Sequence, residues 1–247
     1  MRQEAFAAAG CAACPVRAEG LCRHLSVDDR SLLHIAPRHV GPGSDLFYQG
    51  EPSDEVFRIR EGWAFLYELL EDGRRQIVQF VLPGDLVGFH PEVTAPSFGA
   101  QAVNSMELCV IPRLRLVEVA HRRPNIAYQL ACMFSHDEAR AYDRLTSVGR
   151  KTAIERIASL LLELFYRLRR RAPEAPGEML KLPLTQTHIA DALGLTPVHT
   201  NRTLALLRQK GVIDYGNGLF HILAPAKLFA IAGIDPGSGA EAATLFH

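Results

Sequence analysis

The chain has 247 residues, 48% of them hydrophobic and 22% charged, a composition able to build real cores in water. No run of about 18 uncharged apolar residues occurs, so a membrane span is not expected. The N-terminus lacks the basic-then-apolar layout of a signal peptide, which points to a cytoplasmic protein. The 27 basic and 27 acidic residues cancel, but unevenly: residues 1–149 hold 15 bases and 19 acids, residues 150–247 hold 12 and 8. A basic C-terminal part favours a polyanionic partner there, with random surface variation as the plainer account.

Residues 1–25 read as a loop-rich leader holding Cys11, Cys14 and Cys22. A short helix is expected over 26–34. Short apolar runs follow at 45–48, 56–59, 64–70, 76–82, 86–89, 99–103 and 108–111, punctuated by Gly50, Gly62, Asp72-Gly73 and Pro83-Gly84-Asp85. Many short strands at that spacing argue for a β-barrel or jelly roll. After Pro112 the pattern turns helical. Residues 113–122 suit a short helix, and Pro124 fits the first turn of a long one running to about 148. On it Ala127, Leu130, Phe134, Ala141, Leu145 and Val148 form a one-sided apolar stripe. Asp137 or Glu138 fills the gap in that stripe, which reads as a dimer seam. Another helix is expected over 152–171.

Residues 184–193 read as a helix, Gly194 as a turn, and Thr196-Pro197 as the cap and first position of a second helix running to about Lys210. Runs at 212–215 and 219–223 around Gly216-Asn217-Gly218 form a hairpin. Helix, glycine turn, helix and hairpin together are a winged helix-turn-helix. Its second helix leaves His199, Asn201, Arg202 and Arg208 toward solvent, and with Thr196 and Val198 these are the expected DNA-binding residues. Arg can bond guanine O6/N7 and Asn adenine N6/N7, each bidentately. The bland alternative is a structural hairpin with a solvated polar face. The expected class is α+β: an N-terminal β jelly roll (26–123), a long dimerisation helix (124–149), a winged helix-turn-helix (150–233) and a flexible tail (234–247).

This order of parts resembles the Crp/Fnr superfamily of transcription regulators over about residues 26–232. The residues that carry the resemblance are Gly50-Glu51-Pro52-Ser53-Asp54, Ile59-Arg60-Glu61-Gly62, Pro83-Gly84-Asp85-Leu86-Val87-Gly88-Phe89, and Leu193-Gly194-Leu195-Thr196 leading to Asn201-Arg202. The resemblance implies a homodimer on a two-fold-symmetric duplex DNA site, with RNA polymerase as a partner if it activates. Cyclic-nucleotide binders of the superfamily carry Gly-Glu-Leu and then Arg-Ser or Arg-Thr. Here Gly88-Phe89-His90-Pro91-Glu92 and Pro96-Ser97-Phe98-Gly99-Ala100 supply no arginine for a phosphate, so no cyclic nucleotide is expected. In the Fnr-like branch an iron–sulfur cluster is held by three N-terminal cysteines and one on the strand before an Ile-Pro. Cys11, Cys14, Cys22 and Cys109 match that set, which implies a [4Fe–4S] cluster and oxygen or redox sensing. Zinc accepts the same thiolates, and thiol redox or heme also stay open. Cys132 reads as structural. One departure stands out: Arg202 matches the family's arginine, but Val198 occupies the position of its usual Glu, so a different half-site is expected.

Two other function classes fit the sequence less well. A cupin-like metalloenzyme would need His and carboxylates clustered on the strands, and His39, His90 and Glu92 are too scattered for that. A ligand-sensing module without DNA contact is disfavoured by the intact recognition helix.

Overall fold

The computed structural model describes residues 11, 13–90, 95–169, 173–216 and 218–235. The chain divides into two compact units, residues 1–135 and 136–247, and the division falls inside the long helix Pro124–Arg150. The expected tail beyond 235 lies outside the described residues.

Among the described residues the first unit carries eight strands: β1 (Ala36–Val40), β2 (Asp45–Phe47), β3 (Glu55–Glu61), β4 (Ala64–Leu69), β5 (Arg75–Val81), β6 (Leu86–Val87), β7 (Gly99–Ala102) and β8 (Met106–Pro112). They make two antiparallel four-stranded sheets, ordered β1-β8-β3-β6 and β2-β7-β4-β5. Phe57 and Ile59 of β3 and Leu108 and Val110 of β8 join Phe47, Leu66 and Ala100 in one apolar core. Because strand side chains alternate, their neighbours Val56, Cys109 and Ile111 face the other way. There they meet Leu21 and Leu25 of the leader, Leu33, Leu116, Ile126 and Leu130 in a second core. Gly62 turns β3 into β4 at φ +83°, and a Cβ there would come within 2.5 Å of the Ser105 carbonyl oxygen, so only glycine fits.

Leu130 requires a correction. Expected in the dimer seam, it is buried in the core of its own unit beside Ile126. The exposed row on the long helix is instead Ala127, Ala131, Phe134, Glu138, Ala141 and Leu145. Those steps alternate four and three residues, the repeat of a two-stranded coiled coil. Two apolar stripes share this helix, and hydrophobicity alone does not say which one the sheet covers.

The second unit contains the helices Ala153–Arg169, Gln186–Leu193, Pro197–Gln209 and Pro225–Ala232 and a three-stranded sheet. Its strands are β9 (Glu178–Lys181), β10 (Ile213–Gly216) and β11 (Leu219–Ile222), in the order β10-β11-β9. The strands β1 and β9 and the helix Pro225–Ala232 were not expected from the sequence. Among the described residues no helix is long and apolar enough to cross a membrane.

Candidate thiol cavity and DNA-reading helix

The described part of the leader, residues 11 and 13–25, lies on the outer face of the β1-β8-β3-β6 sheet. A 3-10 turn, Gly20–His24, buries Leu21, and Ser26 caps the helix Val27–Leu32 through a reciprocal capping box with Asp29. This packing brings Cys11, Cys14 and Cys22, all half-buried, against Cys109, which is buried. All four line one cavity with Val16, Leu21, Leu25, Ile35 and Ile111. Cys132 is half-buried on the long helix and lies outside that lining.

Arginines complete the lining: Arg17, Arg30, Arg58 and Arg60. Arg58 is the direct cross-strand partner of Cys109, so their side chains leave the sheet on one face about 5 Å apart. Arg58 Nε donates to Cys22 Sγ at 3.4 Å. Arg60, two residues on, lines the same cavity and stands 3.5 Å from Glu107. Arg30 Nη2 donates to the Cys22 carbonyl at 3.3 Å. Burial, with the neighbouring Cys11 and Cys22 thiols, pushes Cys109 up to about 12, while Arg60 works against the rise. Burial also raises Cys11. Among the described residues no three His, Cys, Asp or Glu groups are gathered closely enough to grip one metal ion, so the four thiols share a cavity rather than a chelate. These arginines were missed in the sequence. The available signal was the charge at alternate positions 58 and 60 within an otherwise apolar strand.

In the second unit Gly194 ends the first helix of the motif in the left-handed region, at φ 62°. Thr196 accepts from the His199 amide at 3.2 Å and Pro197 opens the second helix, as expected. Thr200, Thr203, Leu204 and Leu207 pack inward. Thr196, Val198, His199, Asn201, Arg202 and Arg208 are all exposed, Val198 by 62%. Two neighbours unforeseen in the sequence set up this face. Gln186 Nε2 and Tyr215 Oη both donate to Asn201 Oδ1, at 3.2 and 3.3 Å. Arg208 is engaged by Asp214 of β10. Of the other seam residues, Phe134, Glu138, Ala141 and Leu145 are exposed, Val148 is half-buried, and Asp137 is half-buried in an ion pair with Arg140.

Residues 155–231 match the family described as the Crp-like helix-turn-helix domain, and residues 37–123 match the cyclic nucleotide-binding domain. The nitrogen fixation regulation protein FixK of Bradyrhizobium diazoefficiens is 30% identical over 224 residues, which cover 90% of this chain and 93% of that protein. The chain belongs to the Crp/Fnr family of DNA-binding transcription regulators. The transcriptional activator protein FnrL of Cereibacter sphaeroides is 31% identical, over 93% of this chain and 94% of its own. The solved structure of FixK2 from Bradyrhizobium japonicum superposes with a TM-score of 0.73 at 29% identity, covering 80% of this chain and 96% of that one. Regulators of this family bind DNA as dimers, and the chain is a regulator rather than an enzyme.

Proposed function

We propose that this regulator reports oxygen or redox state through a [4Fe–4S] cluster held by Cys11, Cys14, Cys22 and Cys109. The observation that carries the reading is the meeting of all four thiols in one cavity lined by arginines and free of carboxylates. The donor set suits iron–sulfur chemistry, and the cations suit a centre of net negative charge. When bound, the cluster supplies an oxidisable link between leader and sheet. The chain's own residues do the rest. The thiols must lose their protons on loading, so uptake releases acid. The cavity of about 20 Å³ holds about one water, so a cluster held by these four thiols would require the leader to stand farther from β3 and β8. That displacement bears on Leu21 and Leu25, which share a core with Ile126 and Leu130 of the long helix. The helix thereby carries the change toward its exposed seam, where Phe134, Glu138, Ala141, Leu145 and Val148 meet a second copy. No cyclic nucleotide is assigned, because the segments 88–92 and 96–100 supply no arginine for its phosphate.

On DNA, Arg202 reads a guanine in each half of a two-fold-symmetric site. Val198 meets a base edge without the acceptor of a glutamate. His199 and Thr196 position the helix. Asn201 keeps its amide N–H₂ for DNA, since Oδ1 already accepts two bonds. Anaerobic purification followed by iron, sulfide and zinc analysis tests the cofactor: four irons per chain support it, and stoichiometric zinc without iron overturns it.

A further inference from the structure

Arg58 is the largest fully buried side chain among the described residues, with 1% of its surface exposed. Its Nη2 donates to the Glu19 carbonyl at 2.9 Å and its Nε to Cys22 Sγ, while Nη1 is buried without a hydrogen-bond partner. Glycines make room for it. A Cβ on Gly20 would stand 3.4 Å from Nη2 and 3.5 Å from Nη1. The Glu19 carboxylate comes near the same guanidinium without an ion pair to it: a Cβ on Gly84 would stand 2.8 Å from Glu19 Oε2 and 3.8 Å from Arg58 Nη1, and Glu19 is not part of the cavity lining. A guanidinium does not deprotonate in proteins, and a buried charge is costly unless an anion faces it. Neutral thiols do not meet that need. Four thiolates on a single metal centre do, because on a four-iron core or on one zinc ion they leave two negative charges.

We propose that Arg58 is the built-in counter-cation of the thiolate centre, balancing its charge and orienting Cys22 without touching metal. The proposal rests on the reading of the four cysteines as ligands. It accounts for a charge placed where the strand pattern calls for an apolar residue, with one N–H group unused in the metal-free chain. A purely structural Arg58, tying the leader to the sheet through the Glu19 carbonyl, makes the opposite prediction about stability without metal. Replacing a buried charge that has no ion-pair partner by an apolar side chain of similar volume is often neutral or stabilising, whereas removing a structural tie is not.

The test uses the full-length parent, Arg58→Met and Arg58→Lys. Each is reconstituted anaerobically with iron and sulfide, and separately with zinc. Loss of the centre to a chelator is then followed optically and by metal analysis, and the metal-free chains are melted. Arg58→Met is expected to lose its centre about tenfold faster or more, the usual effect of removing a group that supports a ligand, with Arg58→Lys in between. Metal-free Arg58→Met is expected to melt at or above the parent. Equal lifetimes in Arg58→Met and parent overturn the proposal, as does a metal-free Arg58→Met that melts well below the parent. A parent that takes up neither metal removes the ligand reading and the role of Arg58 with it. A parent that takes up zinc alone removes only the iron–sulfur reading, and Arg58 is then judged on the zinc lifetimes.

Discussion

Arg208 Nε on the second helix of the motif stands 2.7 Å from Asp214 Oδ1 on β10. This arginine is therefore already paired in the free chain, whereas Arg202 makes no hydrogen bond or ion pair among the described residues. The exposed pair itself is worth about 0–1 kcal/mol. Arg202→Ala is expected to cost about 1–3 kcal/mol per half-site and to relax preference at one base pair. Arg208→Ala should cost less than about 1 kcal/mol, evenly across sequences. Anisotropy titrations on duplexes varied one base pair at a time check this. An Arg202→Ala protein with unchanged preferences removes that residue as a reader.

Val198 stands in the first turn of the same helix, 62% exposed, with a side chain that offers no acceptor. A glutamate there could accept from cytosine N4, while valine can only touch an apolar edge such as the thymine methyl. Val198→Glu should shift the preferred half-site toward a cytosine-containing sequence. Selection from random duplexes by parent and variant reads the outcome, and identical consensus sequences count against it.

The cysteines separate by position. Cys109→Ser is expected to abolish the anaerobic chromophore and weaken DNA binding, since Cys109 is the one candidate ligand that the sheet supplies. Cys132→Ser should leave both intact, because Cys132 lies outside the cavity lining. Iron analysis beside a gel shift measures the pair of variants. Bleaching by Cys132→Ser would mean that the ligand set is wrong.

Much of this arrangement is legible before any coordinates, for physical reasons that differ along the chain. Glycine turns and short apolar runs mark β2 to β8, and Thr196-Pro197 after Gly194 marks the second helix of the motif within a residue of its start. Strand β1 escapes because it is largely exposed and carries Pro37, so it has no apolar alternation to detect. Leu130 misleads because Ile126 and Leu130 form a second stripe adjoining the seam, and only packing decides which stripe the sheet takes. Arg58 is invisible to hydropathy, which counts it as surface, although its place opposite Cys109 follows from strand register alone.

Asp29 is a buried anchor with a pH signature. Its carboxylate accepts from the Ser26 hydroxyl at 2.7 Å, the Ser26 amide at 3.0 Å and Arg123 Nε at 2.9 Å. Burial alone would raise this acid, but the Ser26 bonds and the Arg123 guanidinium outweigh it and hold it below the usual carboxylate range. A lowered folded-state value means that its stabilisation is complete above the unfolded value of about 3.9 and is lost as pH falls through the folded one. Asp29→Asn is expected to cost about 2 kcal/mol near neutrality. Urea unfolding at several pH values should show the gap to the parent closing below about pH 4. A gap independent of pH would show that the charge of Asp29 contributes nothing.

The seam of the long helix carries one acid among its exposed apolar positions. Glu138 is exposed between Phe134 and Ala141, and Tyr142 Oη donates to its Oε1 at 2.7 Å. Asp137 turns aside, half-buried in its ion pair with Arg140. The structure thus separates two acids that share a gap in the stripe and places Glu138 where the coiled-coil repeat puts a core residue. In a parallel two-fold dimer it approaches its own copy. Like charges in a partly dry seam cost about 1 kcal/mol or more, enough to keep a closely balanced dimer open. Leu145, 72% exposed in the single chain, and Phe134, stacked on Phe89 but still exposed, are the apolar residues expected to supply the attraction on either side. Glu138→Ala should therefore dimerise in air without any metal centre, while Asp137→Ala should stay as the parent. Sedimentation of the aerobic, metal-free proteins at matched concentration decides it. If Glu138→Ala sediments with the parent, the acid does not set the dimer balance, and that balance rests on the apolar residues alone.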